Sequence, residues 1–140
     1  MLIEIAAAVS VVAADQASKA FVLSRSWTAD SNAGFLSVRK VLMRRGPLMF
    51  YFTPWTHVGL WIASIAIAAV LVRAGMIAEN ARNAAAIGAA LGGAAGNIAD
   101  RLRHRAIVDF IAIGRCPPFN LADVAIVAGV GMLVWSLVET

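Results

Sequence analysis

Two aspartates in apolar surroundings are the residues of this sequence best suited to chemistry. Asp109 lies in the segment Ile-Val-Asp-Phe-Ile, and Asp123 lies in the segment Phe-Asn-Leu-Ala-Asp. Two carboxyl groups that share a site cannot both ionise cheaply, so one keeps its proton while the other is charged. Such a pair can activate a water molecule as a base and protonate a leaving amine as an acid. The pattern equally allows a structural interpretation, in which Asp123 caps a helix and Asp109 pairs with an arginine.

Other ionisable residues lie within or beside apolar segments, where a charge is expensive and indicates a functional site. Asp15 and Lys19 are four positions apart, so a helix places both on one face, where a structural ion pair is the favoured interpretation. Asn97, Asp100 and Arg101 can orient a substrate or brace the aspartate pair. If the helices alternate in direction, the charged groups meet at one end of a bundle; they are Asp15, Lys19, Asp100, Arg101, Asp109 and Asp123.

Four apolar stretches supply the elements that must position these groups. A helix rises about 1.5 Å per residue and needs about 20 residues to cross a bilayer core of roughly 30 Å. The third stretch is rich in glycines at a spacing that lets helices approach closely. Within the longest connection, residues 35–43 are predicted to form a short strand. The predicted helices cover about residues 2–23, 56–74, 84–103 and 120–138.

The composition places the chain in a membrane. Hydrophobic residues make up 61% of the 140 residues, charged residues make up 14%, and the mean hydropathy is +0.79. A soluble domain of this size cannot hide so much apolar side chain from water. Disorder, a soluble nucleic-acid-binding module and a disulfide-built scaffold are therefore excluded, and Cys116 is the single cysteine. The motifs of nucleotide-binding loops and of metal sites do not occur in the sequence.

Four sequence blocks together resemble the signal peptidase II family, the lipoprotein signal peptidases of bacteria. The blocks occur in family order; they are Asp-Gln-Ala-Ser-Lys at 15–19, Gly-Asn-Ile-Ala-Asp-Arg at 96–101, Val-Asp-Phe at 108–110 and Phe-Asn-Leu-Ala-Asp at 119–123. The resemblance implies an aspartic endopeptidase whose catalytic pair is Asp109 and Asp123. Supporting or substrate-binding positions of the family are matched by Asp15, Lys19, Asn97, Asp100, Arg101 and Asn120.

The resemblance also implies the architecture and the setting. The fold is then an all-α membrane protein, one integral domain over residues 1–140, with four transmembrane helices and a small extracytoplasmic β-cradle at about 24–55. The enzyme would remove signal peptides from diacylglyceryl-modified prolipoproteins by cutting before the lipidated cysteine, without a metal ion or organic cofactor. The implied location is the bacterial inner (plasma) membrane, with a periplasmic active site and cytoplasmic termini. Prolipoprotein and membrane phospholipids are the expected partners, nucleic acid is not, and the expected state is a monomer.

Two features keep alternatives open. Where the family has Asn-x-Gly-x-Ala-Phe, this chain has Arg-Arg-Gly-Pro-Leu-Met-Phe at 44–50, which favours a divergent paralogue with a restricted lipidated substrate. On the implied topology only Arg73 and Arg82 of the twelve basic residues face the cytoplasm, whereas the positive-inside rule predicts the opposite orientation. Outer basic residues that meet lipid phosphates would account for this distribution. The third hypothesis is a non-catalytic membrane protein that binds lipids or a partner through this basic face.

Overall fold

The computed structural model describes residues 1–24, 36–43, 54–77, 80–114 and 116–139. The altered block at 44–50 lies outside these residues. Of the predicted cradle at 24–55, the described residues are 24, 36–43 and 54–55. The elements follow the order α1 (Leu2–Ser24), β1 (Leu36–Met43), α2 (Pro54–Arg73), α3 (Ala81–His104), β2 (Ile107–Ile113) and α4 (Leu121–Val138). The described chain is mostly helical, and its helix ends differ from the predicted bounds by at most three residues.

Three of the described helices are long and apolar enough to cross a membrane, namely Leu2–Ser24, Trp55–Arg73 and Leu121–Val138. Their large apolar side chains point outward, as in Val127 of α4, which is 73% exposed. The buried positions instead include polar groups such as Asp15 and Asn120. Apolar side chains outside and polar side chains inside are the arrangement expected where the surrounding solvent is lipid. The chain is therefore a membrane protein.

The helix α3 is the central element although it is less apolar than the other helices. It packs against α1, α2 and α4. Gly88 and Gly92 lie against α1, and Gly93 lies against α4. A Cβ atom added at Gly92 would lie 2.6 Å from the carbonyl oxygen of Ala8, so only glycine allows this approach of the two backbones. Small contact residues and inward polar groups lower the hydropathy of α3, which is why it is not among the three candidate spans.

Gly92→Ala is expected to lower the free energy of unfolding by about 1–3 kcal/mol, because an extra methyl group overpacks a contact between two backbones. The matched control is Gly131→Ala in α4, where an added Cβ meets nothing within 4 Å. That control should be neutral or stabilising, since alanine favours a helix by up to about 1 kcal/mol over glycine. Thermal unfolding of both variants in detergent measures the difference, and equal Tm values would contradict the packing role of Gly92.

The two strands form one antiparallel sheet. β1 pairs with β2 from Leu36 opposite Ile113 to Met43 opposite Ile107, with an irregularity between Val38 and Val41. β2 also packs against α1 and α3. The strand predicted at 35–43 is confirmed by β1, whereas β2 was not predicted from the sequence. Its significance is that Asp109 lies in the middle of it.

Candidate active site

A backbone contact after β2 brings the two aspartates into one site. Phe119 returns to pair with Ile111 through N–H···O bonds of 2.9 and 3.0 Å. The next residue, Asn120, therefore lies beside β2, and its Nδ2 donates to Asp109 Oδ1 at 2.8 Å. Because α4 starts directly after Asn120, its first turn carries Asp123 to the same place.

A capping box holds Asp123 at the start of α4. Asn120 is the N-cap, and its Oδ1 accepts from the backbone N–H of Asp123 at 3.0 Å. In return, Asp123 Oδ2 accepts from the backbone N–H of Asn120 at 3.1 Å. These reciprocal bonds satisfy N–H groups that the first turn of a helix leaves open. The structural interpretation of Asp123 is thus modified: Asn120 is the N-cap residue, and Asp123, three positions later, supplies the reciprocal bond of the box.

Two asparagines link the aspartates by a chain of hydrogen bonds. Besides Asp109, Asn120 Nδ2 approaches Asn97 Oδ1 at 3.1 Å. Asn97 Nδ2 in turn donates to Asp123 Oδ1 at 2.8 Å. Asp109 Oδ2 accepts no hydrogen bond from the part of the chain that the structure describes, whose bond to Asp109 is to Oδ1. The arrangement fixes one oxygen of Asp109 and both oxygens of Asp123.

The environments of the two carboxyl groups differ. Asp109 is buried, with 5% exposure, whereas Asp123 is half-buried. Burial, followed by the neighbouring charge of Asp123, raises the pKa of Asp109 to about 6, against the opposing effect of the hydrogen bond from Asn120. Asp109 thus keeps its proton to a higher pH than an ordinary aspartic acid. The predicted arginine partner of Asp109 is not found among the described residues, whose ion pairs do not include Asp109.

Lys19 joins two further carboxylates next to the aspartate pair. Its Nζ lies 2.7 Å from Asp15 Oδ2 and 2.8 Å from Asp100 Oδ2, and the three side chains are at most 3% exposed. The predicted ion pair between Asp15 and Lys19 is therefore present, and Asp100 extends it to a triad. Buried charges persist when they are paired and when hydrogen bonds satisfy their remaining atoms.

The backbone supplies those remaining bonds and ties the triad to the site. Asp15 Oδ1 accepts from the N–H of Ala122 in the first turn of α4 at 3.1 Å, where the helix dipole favours a negative charge. Asp100 Oδ2 accepts from the N–H of Val108 at 3.2 Å, and Gln16 Nε2 donates to Asp100 Oδ1 at 3.0 Å. The triad thereby fastens α1 and α3 to the starts of β2 and α4. Within the described ranges, no group of three or more His, Cys, Asp or Glu residues is arranged to hold a metal ion.

Arg101 is the predicted site residue that stays outside this network. Its side chain forms no ion pair with a described carboxylate, and its buried Nε has no hydrogen-bond partner among the described residues. Arg103 instead reaches the network, donating to Gln16 Oε1 at 3.2 Å. Neither Gln16 nor Arg103 was predicted from the sequence to be a site residue. The available signal for Gln16 was a polar side chain inside an apolar helix, next to Asp15.

Comparisons with known proteins agree on one family. The family profile described as Signal peptidase (SPase) II matches residues 7–139. The chain is 32% identical to the lipoprotein signal peptidase of Anaplasma marginale, over 92% of this chain and 80% of that protein. It is 34% identical to the lipoprotein signal peptidase of Methylorubrum extorquens, over 94% of this chain and 83% of that protein.

Shorter matches and solved structures agree with this family. The lipoprotein signal peptidase of Pelotomaculum thermopropionicum is 51% identical over 38% of this chain and 35% of that protein. The lipoprotein signal peptidase of Moorella thermoacetica is 57% identical over 34% of this chain and 31% of that protein. These matches therefore span about a third of each relative. A bacterial membrane enzyme solved by the in meso method at 1.9 Å superposes with a TM-score of 0.75 and 27% identity, covering 97% of this chain and 92% of the other. With its outward apolar helices and its buried polar site, this chain belongs to the signal peptidase II family.

Proposed function

We propose that this protein is an aspartic intramembrane endopeptidase that removes signal peptides from diacylglyceryl-modified prolipoproteins by cleaving before the lipidated cysteine. The observation that carries the proposal is the linked pair of Asp109 and Asp123, joined through Asn120 and Asn97. Family membership supports the substrate class, because the relatives are named lipoprotein signal peptidases. The outward apolar helices support a site that meets its substrate from within the membrane.

In the proposed reaction a water molecule lies between the two carboxyl groups. Asp123, as the carboxylate, takes a proton from this water while the water oxygen bonds to the scissile carbonyl carbon. Asp109, whose pKa is raised to about 6, carries the proton and donates it to the leaving nitrogen as the C–N bond breaks. Asp109 ends ionised and Asp123 ends protonated, so one proton transferred between them restores the starting state.

The supporting residues divide into two groups in this proposal. Asn97 and Asn120 orient the aspartates directly, and the triad of Asp15, Lys19 and Asp100 holds the helices that carry them. Arg101 stays a proposed supporting or substrate-binding residue, since it follows Asp100 in the chain and its side chain is only half-buried. A guanidinium there can donate to peptide carbonyl groups of the substrate.

We also propose the membrane arrangement. The 24-residue helix α3 is long enough to cross a bilayer, and neighbouring helices shield its small and polar residues from lipid. Four spanning helices then form one domain over residues 1–140, and the β1–β2 sheet belongs to an extracytoplasmic cradle that includes residues 24–55. On this arrangement the site faces the periplasmic side of the bacterial inner membrane, both termini are cytoplasmic, phospholipids surround the helices, and the protein acts as a monomer.

The test uses the full chain in lipid nanodiscs and two synthetic prolipoprotein peptides that differ only in the diacylglyceryl group on the cysteine. Mass spectrometry should find a product that begins with the lipidated cysteine, and the unmodified peptide should stay intact. Cleavage of both peptides at one rate would contradict the substrate class. Failure to cut any member of a panel of lipidated signal sequences would overturn the enzyme itself, whereas cleavage of a few would indicate a restricted paralogue.

A further inference from the structure

We propose that Lys19 is a positioning residue for the aspartate pair, which acts by fixing the orientation of the Asn97 amide that faces Asp123. The inference rests on the proposed function and adds a role for a residue that does not touch the reacting atoms. Lys19 Nζ donates to Asn97 Oδ1 at 3.2 Å, and Asn97 Nδ2 donates to Asp123 Oδ1 at 2.8 Å. One amide therefore separates the ammonium group from the aspartate pair.

An ammonium group has three N–H donors and no acceptor. The acceptors around Lys19 are one oxygen each from Asp15, Asp100 and Asn97, at 2.7, 2.8 and 3.2 Å. Asn97 can therefore turn only its carbonyl oxygen toward Lys19, which leaves its NH₂ group for Asp123. A flipped amide would set an NH₂ group against the ammonium and an oxygen against the carboxylate, so both contacts would become repulsive.

The second amide is oriented by the same logic. The backbone N–H of Asp123, which is a donor only, holds Asn120 Oδ1 at 3.0 Å. Asn120 Nδ2 is thereby directed to Asp109 Oδ1 and to Asn97 Oδ1. Asn97 Oδ1 thus accepts from both Lys19 and Asn120, so the orientation of each amide is fixed by the other. In this arrangement Asn120 Nδ2 donates to Asp109 and Asn97 Nδ2 donates to Asp123.

Lys19 is held rigidly enough to impose this direction. Its carboxylate partners are anchored by the N–H groups of Ala122 and Val108, at 3.1 and 3.2 Å. Gly96 closes the other side, since a Cβ there would lie 2.7 Å from Asp15 Oδ2. The Lys19 side chain is 3% exposed, so bulk water does not compete for its ammonium group. If Lys19 only held the helices together, its ion pairs with Asp15 and Asp100 would be sufficient. The additional hydrogen bond to Asn97 Oδ1 indicates a further role.

The experiment compares a charge-balanced variant with a matched control. Lys19→Met combined with Asp100→Asn keeps the formal charge of the triad at −1, because it removes one positive and one negative group. The control, Ser136→Ala, breaks a buried bond between α3 and α4, from Asn83 Nδ2 at 2.8 Å, at the end of α4 far from the site. Both variants should unfold at a lower temperature than the wild type. Only the first should alter the chemistry of the aspartate pair.

We expect the charge-balanced variant to lose about tenfold or more in kcat/KM for the lipidated peptide, since the carboxyl groups are no longer held in the reactive geometry. The basic limb of its pH profile of kcat/KM should move to higher pH. Loss of the Lys19 ammonium raises the pKa of Asp109 and loss of the Asp100 carboxylate lowers it, with Lys19 having the larger effect, and a flipped Asn97 amide adds to the rise. The charged groups that influence Asp109 are Asp123, Lys19 and Asp100, and Asn120 faces it as a dipole. The Ser136→Ala limb should stay where the wild-type limb lies.

Asn97→Ala completes a double-mutant cycle. If Lys19 acts through Asn97, the charge-balanced change should lower kcat/KM far less in the Asn97→Ala background than in the wild type. Additive losses, or an unshifted limb in the charge-balanced variant, would overturn the inference. Should that variant not fold, Asn97→Asp replaces it, because this side chain still accepts from Lys19 but offers no N–H to Asp123. An unshifted limb in Asn97→Asp would then contradict the role of the Asn97 amide, through which Lys19 is proposed to act. Absent cleavage by the wild type refutes the proposed function instead.

Discussion

Asp109→Asn and Asp123→Asn are each expected to lower kcat/KM for a lipidated peptide by about 10²–10⁴-fold, the range over which a positioned acid or base contributes. An amide neither takes a proton from water nor donates one to the leaving nitrogen. Because the two groups act as a unit, the double variant should lose about as much as the weaker single variant. Initial cleavage rates in nanodiscs, normalised to the amount of folded protein, measure these losses. Full activity in either single variant would contradict the mechanism.

The Asp109→Asn variant should also be more stable than the wild type above pH 6. The pKa of Asp109 is raised from 3.8 to about 6, so the native state binds more protons than the unfolded state between these values. Stability from this group is therefore present at low pH and is lost as the pH rises through the window. Asparagine escapes that loss and can still accept from Asn120, which gives a gain of up to about 3 kcal/mol above pH 6 and none below about pH 4.

Thermal unfolding across pH measures this crossover, and activity should follow the same group. The wild-type kcat/KM is expected to fall as the pH rises through about 6, because Asp109 loses the proton that it must donate. A variant that is inactive and yet more stable at pH 7 separates the chemical role of Asp109 from a role in folding. Reduced stability of Asp109→Asn at pH 7 would contradict the raised pKa.

Asn120→Ser is expected to lower kcat/KM by about 10–100-fold while most of the stability remains. The Asn120 side chain has two roles, since Oδ1 caps α4 and Nδ2 donates to Asp109. Serine caps a helix about as well as asparagine, but its short hydroxyl group cannot supply both bonds. The substitution therefore keeps the cap and removes the contact with Asp109.

The matched comparison is Asn120→Ala, which loses both roles. It should be less stable than Asn120→Ser by about 1 kcal/mol, the usual contribution of an N-cap side chain. The measurements are Tm in detergent and kcat/KM in nanodiscs. Equal Tm values would argue against the capping role, and wild-type activity of Asn120→Ser would argue against the contribution of Nδ2 to the site.

Hydrophobic length and residue type carried most of the predictable information. The helices α1, α2 and α4 could be located because bilayer thickness demands long apolar runs, and their ends differ little from expectation. The i, i+4 spacing of Asp15 and Lys19 was enough to predict their ion pair. The glycines of α3 likewise indicated close packing, which the contact of Gly92 with α1 displays.

Long-range contacts carried the rest. β2 is apolar at every position except Asp109, so its sequence shows no alternation of apolar and polar residues even though its burial largely alternates. A short apolar run of this kind does not distinguish a strand from a helix, so the segment around Asp109 gave no strand signal. The inclusion of Asp100 in the triad depends on the packing of α3 against α1 and on a bond to the backbone of Val108. Arg101 was predicted on the same grounds as Asp100, yet its side chain lies outside the described network.

The membrane setting, the helices and the identity of the charged groups could be derived from sequence, because each depends on local composition or on spacing within one element. The tertiary structure decided which of those charged groups meet, since Asp15, Asp100, Asp109 and Asp123 lie on four different elements. It also decided the directions of the amides, which depend on whether a donor or an acceptor from a distant segment faces each end. Of the few charges in this apolar chain, packing selects two aspartates as a pair and surrounds them with groups that control their protons.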